Sequence, residues 1–264
     1  MSARIADAFR RAAGENRAAF VAYLTAGDPE PDATARLAIA AAAGGADVLE
    51  LGVPFSDPIA DGATLQRAAS RALAAGTTLG RVFSIASEIR RRSTLPLVLF
   101  SYANPLLARG RAVFREAKDA GFDGVLLTDV PVEEAGGFLP AVVAAGLDPV
   151  FLASPTSTRA RMRKAAAVSR GFLYVVSRAG TTGEKPALAS DLAATVRRAR
   201  AAARNLPIAV GFGIATPRDA AKVAEIADGV VVGSALVSCV ERGGRHAARD
   251  LERLVRSLRR ACAR

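Results

Sequence analysis

Residues 49–66 read LELGVPFSDPIADGATLQ, an apolar strand running into a loop with two prolines, two glycines and the carboxylates Glu50, Asp57 and Asp61. A carboxyl at the inner end of such a strand is costly unless it is paired or put to use. Glu50 and Asp61, one on the strand and one in the loop leaving it, can both reach the same rim. An apolar setting there would push their pKa values apart. The ordinary alternative is a Glu50 satisfied by backbone donors or by an ion pair. Few other groups could do acid–base chemistry. The sole histidine, His246, precedes the final helical segment, a place that suits surface capping, so a histidine triad or proton shuttle is not expected. Cys239 and Cys262 have no metal-ligand spacing and imply neither a disulfide framework nor a zinc site, and no metal is expected.

The elements that must hold these carboxylates recur along the chain. Eight apolar or β-branched runs, 19–25, 46–52, 96–102, 124–129, 149–154, 171–177, 207–213 and 229–234, are separated by segments of helical periodicity, several closed by glycine. This alternation predicts an α/β chain, a single (β/α)8 TIM barrel domain over 1–264. A doubly wound open sheet would ordinarily show a Gly-rich turn after the first strand, and AFVAYLT has none. Extra helices are expected at 2–13, with Ile5, Ala8, Phe9 and Ala12 on one face capping the barrel bottom, and over 63–92, which has room for two.

Side chains alternate along a strand, so Leu49 and Leu51 face the helix layer while Val48 and Glu50 face the barrel interior. Glu50 then stands near the C-terminal end of the second strand, where barrel enzymes place their chemistry. The same alternation puts Tyr23, Phe100, Tyr102, Leu126, Thr128, Leu152, Tyr174 and Val231 inward. All three tyrosines of the chain fall in this set. Such aromatic residues are most often core, but around two carboxylates they describe a flat apolar pocket for a small molecule. Asp28, Asp57 and Asp129 are read as turn or cap residues in GDP, SDP and TDVP.

The runs at 207–213 and 229–234 lead into GFGIATP and GSALVSCVE, the second opening a short helix. Glycine turns and helix N-termini supply backbone N–H groups to phosphate, and barrels commonly place a phosphate after strands 7 and 8. SRAGTTGEKPALASD, 177–191, is long and polar for its position and reads as a lid, with Thr182 and Gly183 near Asp61 and the phosphate; an ordinary surface loop is equally compatible with that segment.

Of 264 residues, 51% are hydrophobic and the net charge is +11. Positive charge invites nucleic acid, but the arginines of IRRRS, RRAR and LERLVRSLRRACAR lie among Ala and Leu on expected helices, and no recognition module is present. Neither nucleic acid nor membrane is expected as a partner: no apolar run is long enough for a bilayer, and MSARIADAFRRAAG lacks a signal peptide's apolar stretch, so a cytoplasmic location is expected.

The motifs FVAYLTAGDP, ADVLELGVPFSDPIADG, YANP, GVLLTDVPVEE, YVVSRAGTTG, GFGI and GSA, spread over nearly the whole chain, resemble the α subunit of tryptophan synthase, the second of them very specifically. The resemblance implies a carbon–carbon lyase that cleaves indole-3-glycerol phosphate to indole and glyceraldehyde 3-phosphate in a retro-aldol step. It implies no cofactor in this chain and an α2β2 complex with a β subunit that uses pyridoxal phosphate to join indole to serine. By motif, Glu50 resembles the general acid/base and Asp61 the partner of the indole N–H. Tyr102 and Tyr174 would orient the carboxylate and pack on indole. Tyr23, Phe100, Leu126, Thr128, Leu152 and Thr182 would line the pocket, and Gly183, Phe212, Gly213, Gly233 and Ser234 would hold phosphate. Pro54, Asp57, Asn104 and Pro131 would face the β subunit. Tyr23 stands where the family often has Phe, and the segment after Gly183 is shorter than in some relatives. A metal-dependent sugar-phosphate epimerase on the same barrel would ordinarily show histidines at strand ends, absent here; a non-catalytic scaffold that activates a partner remains open.

Overall fold

The computed structural model describes residues 3–177, 191–211 and 213–264. Apolar runs become parallel strands: β1 Ala19–Thr25, β2 Val48–Gly52, β3 Leu97–Ser101, β4 Gly124–Leu127, β5 Asp148–Val150, β6 Leu152–Ala153, β7 Leu173–Val176, β8 Ile208–Gly211 and β9 Gly229–Val232. The periodic segments become α1 Ala3–Gly14, α2 Pro31–Gly44, α3 Ala63–Ala74, α4 Leu79–Arg92, α5 Ala103–Leu107, α6 Val113–Asp119, α7 Leu139–Ala144, α8 Arg159–Val168, α9 Leu192–Ala203, α10 Pro217–Ala224, α11 Ser234–Gly243 and α12 Ala247–Arg260. The strands bond in the order β5-β4-β3-β2-β1-β9-β8-β7-β6. Since only Phe151 separates β5 from β6 in the chain, the two ends of the sheet meet and the barrel is nearly closed, a TIM barrel wrapped in helices.

One expected strand is divided. The run 149–154 gives β5, which pairs with β4, and β6, which pairs with β7. Between them the Phe151 N–H donates to Ser169 Oγ at 3.2 Å, and the Pro149 carbonyl accepts from Arg170 N–H at 2.8 Å. The loop after α8 thus takes up backbone groups that a continuous ladder would use.

Period-two alternation sorts the strand residues into two cores. Phe20, Leu49, Leu51, Leu97, Leu99 and Val230 pack outward against the helices, whereas Val21, Tyr23, Val48, Val98, Phe100, Leu126, Tyr174 and Val231 fill the barrel. α1 presents Ile5, Ala8, Phe9 and Ala12 to the second core, all buried, and the Phe9 ring stacks on Phe172 at 5.3 Å. The helix therefore closes the N-terminal end, and the opposite end is left for the loops that follow the strands.

The N-terminal end is tied by a repeated device. Asp47, Asp123 and Asp228 each precede a strand, and their carboxylates accept the N–H of Phe20, Leu97 and Ile208 at 2.8, 3.0 and 2.9 Å, a residue of the preceding strand in each case. Asp47 also takes both arms of the buried Arg17, at 2.6 and 2.9 Å. Burial alone would lower the Arg17 pKa, but the carboxylates of Asp47 and Glu15 hold it above its ordinary value. Removing one partner of a buried pair leaves an uncompensated charge. Asp47→Ala is accordingly expected to cost ~3–5 kcal/mol of stability in denaturant titration, and a loss within the error of that measurement would show the pair to be dispensable.

Candidate active site

At the C-terminal rim of the barrel, β1 and β2 pair Tyr23 with Glu50, β2 and β3 pair Gly52 with Phe100, and β6 and β7 pair Leu152 with Tyr174. Glu50 lies between two residues of the helix-facing core, Leu49 and Leu51, so its side chain points into the barrel. It is 1% exposed, and its Oε1 has no hydrogen-bond partner. Burial pushes its pKa up to about 8, which leaves the carboxyl protonated at neutral pH. Neither an ion pair nor a full set of donors satisfies it.

Asp61 stands next to last in the loop 53–62 that leaves β2. The Tyr102 hydroxyl donates to its carboxylate and accepts the Ala60 N–H at 3.0 Å, and Gln66 Nε2 donates to the Asp61 carbonyl at 2.8 Å. Burial raises the Asp61 pKa to about 6, with the Tyr102 hydrogen bond opposing it. At neutral pH Asp61 is therefore mostly an anion and Glu50 mostly protonated, and both carboxyls lie within electrostatic reach of Tyr23. Burial, and next the Asp61 charge, raise the Tyr102 and Tyr23 pKa values, and burial followed by the Glu50 charge raises that of Tyr174, so all three tyrosines are neutral.

Room for these rings comes from glycine. Gly52 and Gly211 occupy inward positions in the upper layer, and a Cβ on Gly52 would lie 2.2 Å from the Tyr23 hydroxyl while one on Gly211 would lie 2.1 Å from that of Tyr174. Any side chain there would expel a tyrosine. Tyr23 also meets Phe100 edge-on at 5.2 Å, and Phe55 tilts over Tyr102 at 5.4 Å. The result is a cluster of rings at the rim, with both carboxyls within electrostatic reach of Tyr23.

Of the other expected lining residues, Leu152 is half-buried at the rim, and Thr128 is half-buried with its N–H on the Ser101 carbonyl at 2.9 Å. Leu126 has no exposed surface; it supports the cluster from below. Gly233 and Ser234, both partly exposed, stand at the start of α11, and Gly213 is exposed with φ +76° after β8. Thr182, Gly183, Phe212 and all of the expected lid 177–191 but its two end residues lie outside the described residues. Among those expected to face a partner, Asp57, Asn104 and Pro131 are exposed, whereas Pro54 is buried in this chain. The surface apolar residues of the same rim, which sequence alone did not single out, are Ile59, 76% exposed, and Leu107.

Two residues read as turn or cap formers behave differently. Asp28 is 3% exposed and grips Arg71 with both oxygens, at 2.7 and 3.0 Å. His246 occupies the N-cap position of α12 but makes no side-chain cap; its Nε2 accepts from Arg245 at 3.0 Å. Asp129 does cap, accepting the Ala103 N–H at 2.8 Å, and Asp57 accepts from the adjacent Ser56 hydroxyl at 2.5 Å. No group of three His, Cys, Asp or Glu side chains suited to a metal occurs among the described residues.

A site left with an unpartnered buried carboxyl lowers stability, and the sign follows from its pKa. The folded value, about 8, lies above the ordinary 4.5. The stabilising contribution of the protonated form is thus full at low pH and lost as pH rises through 8. Glu50→Gln is expected to melt at a higher temperature than the parent near about pH 9, with the gap closing toward about pH 5; equal melting points across that range would place Glu50 in a polar setting instead.

The same frame recurs in known proteins. The family model described as tryptophan synthase alpha chain matches residues 9–263. The chain is 50% identical to the tryptophan synthase alpha chain of Solibacter usitatus over 260 residues, covering 97% of this chain and 96% of that one. It is 46% identical to that of Geobacter sulfurreducens, covering 98% of each. Among solved structures, Mycobacterium tuberculosis tryptophan synthase superposes with a TM-score of 0.92 at 33% identity over the full length of both chains. The alpha subunit from Legionella pneumophila superposes with a TM-score of 0.90 at 37% identity over 98% of each.

Proposed function

Since the chain belongs to the tryptophan synthase alpha chain family, with its lyase reaction in tryptophan biosynthesis, we propose that Glu50 and Asp61 carry the cleavage of indole-3-glycerol phosphate. The observation that supports this assignment is the pair of buried carboxyls at the rim, Glu50 with an unpartnered Oε1 and Asp61 under the Tyr102 hydroxyl, which burial raises to about 8 and about 6.

Breaking the bond between indole C3 and the glycerol chain needs a proton at C3, a base at the adjacent hydroxyl, and a negative group near the ring nitrogen as positive charge develops there. Protonated Glu50 gives its proton to C3. The carboxylate so formed takes the hydroxyl proton as the carbon–carbon bond breaks, releasing indole and glyceraldehyde 3-phosphate and restoring the acid. Ionised Asp61, oriented by Tyr102, accepts the indole N–H and stabilises the indolenine-like state. Tyr23, Phe100, Leu152 and Tyr174 form the slot for the ring, with Leu126 beneath it and Thr128 at its side. Backbone N–H groups at Gly213 and at Gly233–Ser234 take the phosphate, together with Gly183 and Phe212, and Thr182 is a further substrate-binding residue.

On the same reading the whole chain, 1–264, works as one cytoplasmic barrel domain with no cofactor of its own. A β subunit supplies pyridoxal phosphate in an α2β2 assembly and docks on the rim of Asp57, Asn104 and Pro131, with Pro54 behind it and Ile59 as an apolar anchor. No described helix is long and apolar enough to cross a membrane.

Glu50→Gln is expected to reduce indole release from indole-3-glycerol phosphate at least about a hundredfold; near-normal turnover would refute the assignment. For the parent chain, kcat/KM rises as Asp61 loses its proton near about 6 and falls as Glu50 loses its own near about 8. Asp61→Asn should lose most activity and the acid-side limb while keeping affinity for glycerol 3-phosphate. A common fall in both would mean that ring and phosphate ends are not separate. Addition of a pyridoxal-phosphate β chain should raise the rate, and Ile59→Asp should blunt that rise by weakening association in sedimentation.

A further inference from the structure

The Asp61 loop and the Gly233–Ser234 turn each open a helix, α3 and α11. Leu65 and Ala68 of α3 and Val237 of α11 enter the barrel core beside Tyr23, so both helices flank the same rim. A chain of charge joins them. Arg71 of α3 grips buried Asp28, in the loop after β1, through Nε at 2.7 Å and Nη2 at 3.0 Å, and reaches Glu241 of α11 with Nη1 at 2.7 Å. Arg67, one turn earlier on α3, holds both oxygens of the same Glu241 at 3.0 Å.

An isolated exposed pair contributes little. This one differs in two respects: both arginines use the two-pronged geometry that fixes direction as well as distance, and its inner end, Asp28, is 3% exposed, with the Arg71 guanidinium as its counter-charge. Three segments of the rim are thus locked to one another. A ligand that touches only one helix start is indifferent to that lock. A ligand that touches both gains from it, because a fixed span turns the second contact into an intramolecular one.

We infer that the Arg67–Glu241–Arg71–Asp28 chain is a positioning clamp that sets the span between the ring end and the phosphate end of the substrate site. The inference rests on the placement of indole at Asp61 and phosphate at Gly233–Ser234. Both the bound substrate and its transition state need the same span, so loss of the clamp weakens them equally and appears in KM rather than kcat.

The discriminating variant is Glu241→Gln, which cuts the tie between α3 and α11 and leaves the Asp28–Arg71 pair in place. Steady-state kinetics on the full chain would give kcat and KM for indole-3-glycerol phosphate, and calorimetric titration would give the affinities of indole and of glycerol 3-phosphate separately. The clamp predicts KM raised at least about tenfold, kcat within about threefold, and both fragment affinities within about twofold of the parent. An unchanged KM, or fragment affinities that fall in step with it, would overturn the clamp. Arg67→Gln, which removes the outer grip on the same carboxylate, should move KM in the same direction by a smaller factor; no change in either variant refutes the proposal twice over. A parent chain that binds neither fragment would overturn the site assignment itself, an outcome distinct from parent binding with a normal KM in the variant.

Discussion

The structure is organised around a carboxylic acid held inside a barrel without a counter-charge. A group of this kind is tolerated chiefly in its neutral form, since ionising it away from water costs several kcal/mol unless a partner is present. Glu50 is paired across the sheet with Tyr23 and Val98, lies within electrostatic reach of Tyr174, and has an unpartnered Oε1. That setting raises the pKa and keeps the carboxyl mostly protonated at neutral pH. The neighbouring Asp61 has the opposite provision, a tyrosine hydroxyl that favours its charge. Two chemically similar groups thereby acquire different resting states from burial and one hydrogen bond.

The two ends of the barrel are built differently. At the N-terminal end, polar side chains are saturated: Asp47, Asp123 and Asp228 each bind a backbone N–H of a neighbouring strand, and α1 fills the opening with apolar side chains. At the C-terminal end, glycines at 52 and 211 replace side chains with space, and tyrosines lean into it. Belonging to a lyase family is consistent with that division, because strain and unmet polar groups concentrate where ligands bind and are offset elsewhere in the fold.

The ionic chain from Arg67 to Asp28 belongs to neither end. It lies behind the rim, outside the slot, and ties together the loop after β1, the helix after Asp61 and the helix after Gly233. A closed barrel provides a rigid floor, but the loops above it are long enough to move independently. Cross-links between the helices they open are a direct way to make several loops act as one wall.

The sequence by itself determined the features with short periods. β1 spans 19–25 as the apolar run predicts, and alternation alone sorts Leu49 and Leu51 from Val48 and Glu50, because the pleat is a local property of the backbone. The family motifs, being contiguous, were legible in the same way. Tertiary structure decided what depends on closure. The fifth strand divides at Phe151 because Ser169 and Arg170, brought beside it by folding, take up the Phe151 N–H and the Pro149 carbonyl. Asp28 reads as a turn residue until Arg71, 43 positions away, reaches it, and Glu241 is 170 positions from the arginine it holds. The protonation of Glu50 likewise had no local signature, since a pKa records everything packed around a group, and that packing exists only once the two ends of the sheet have met.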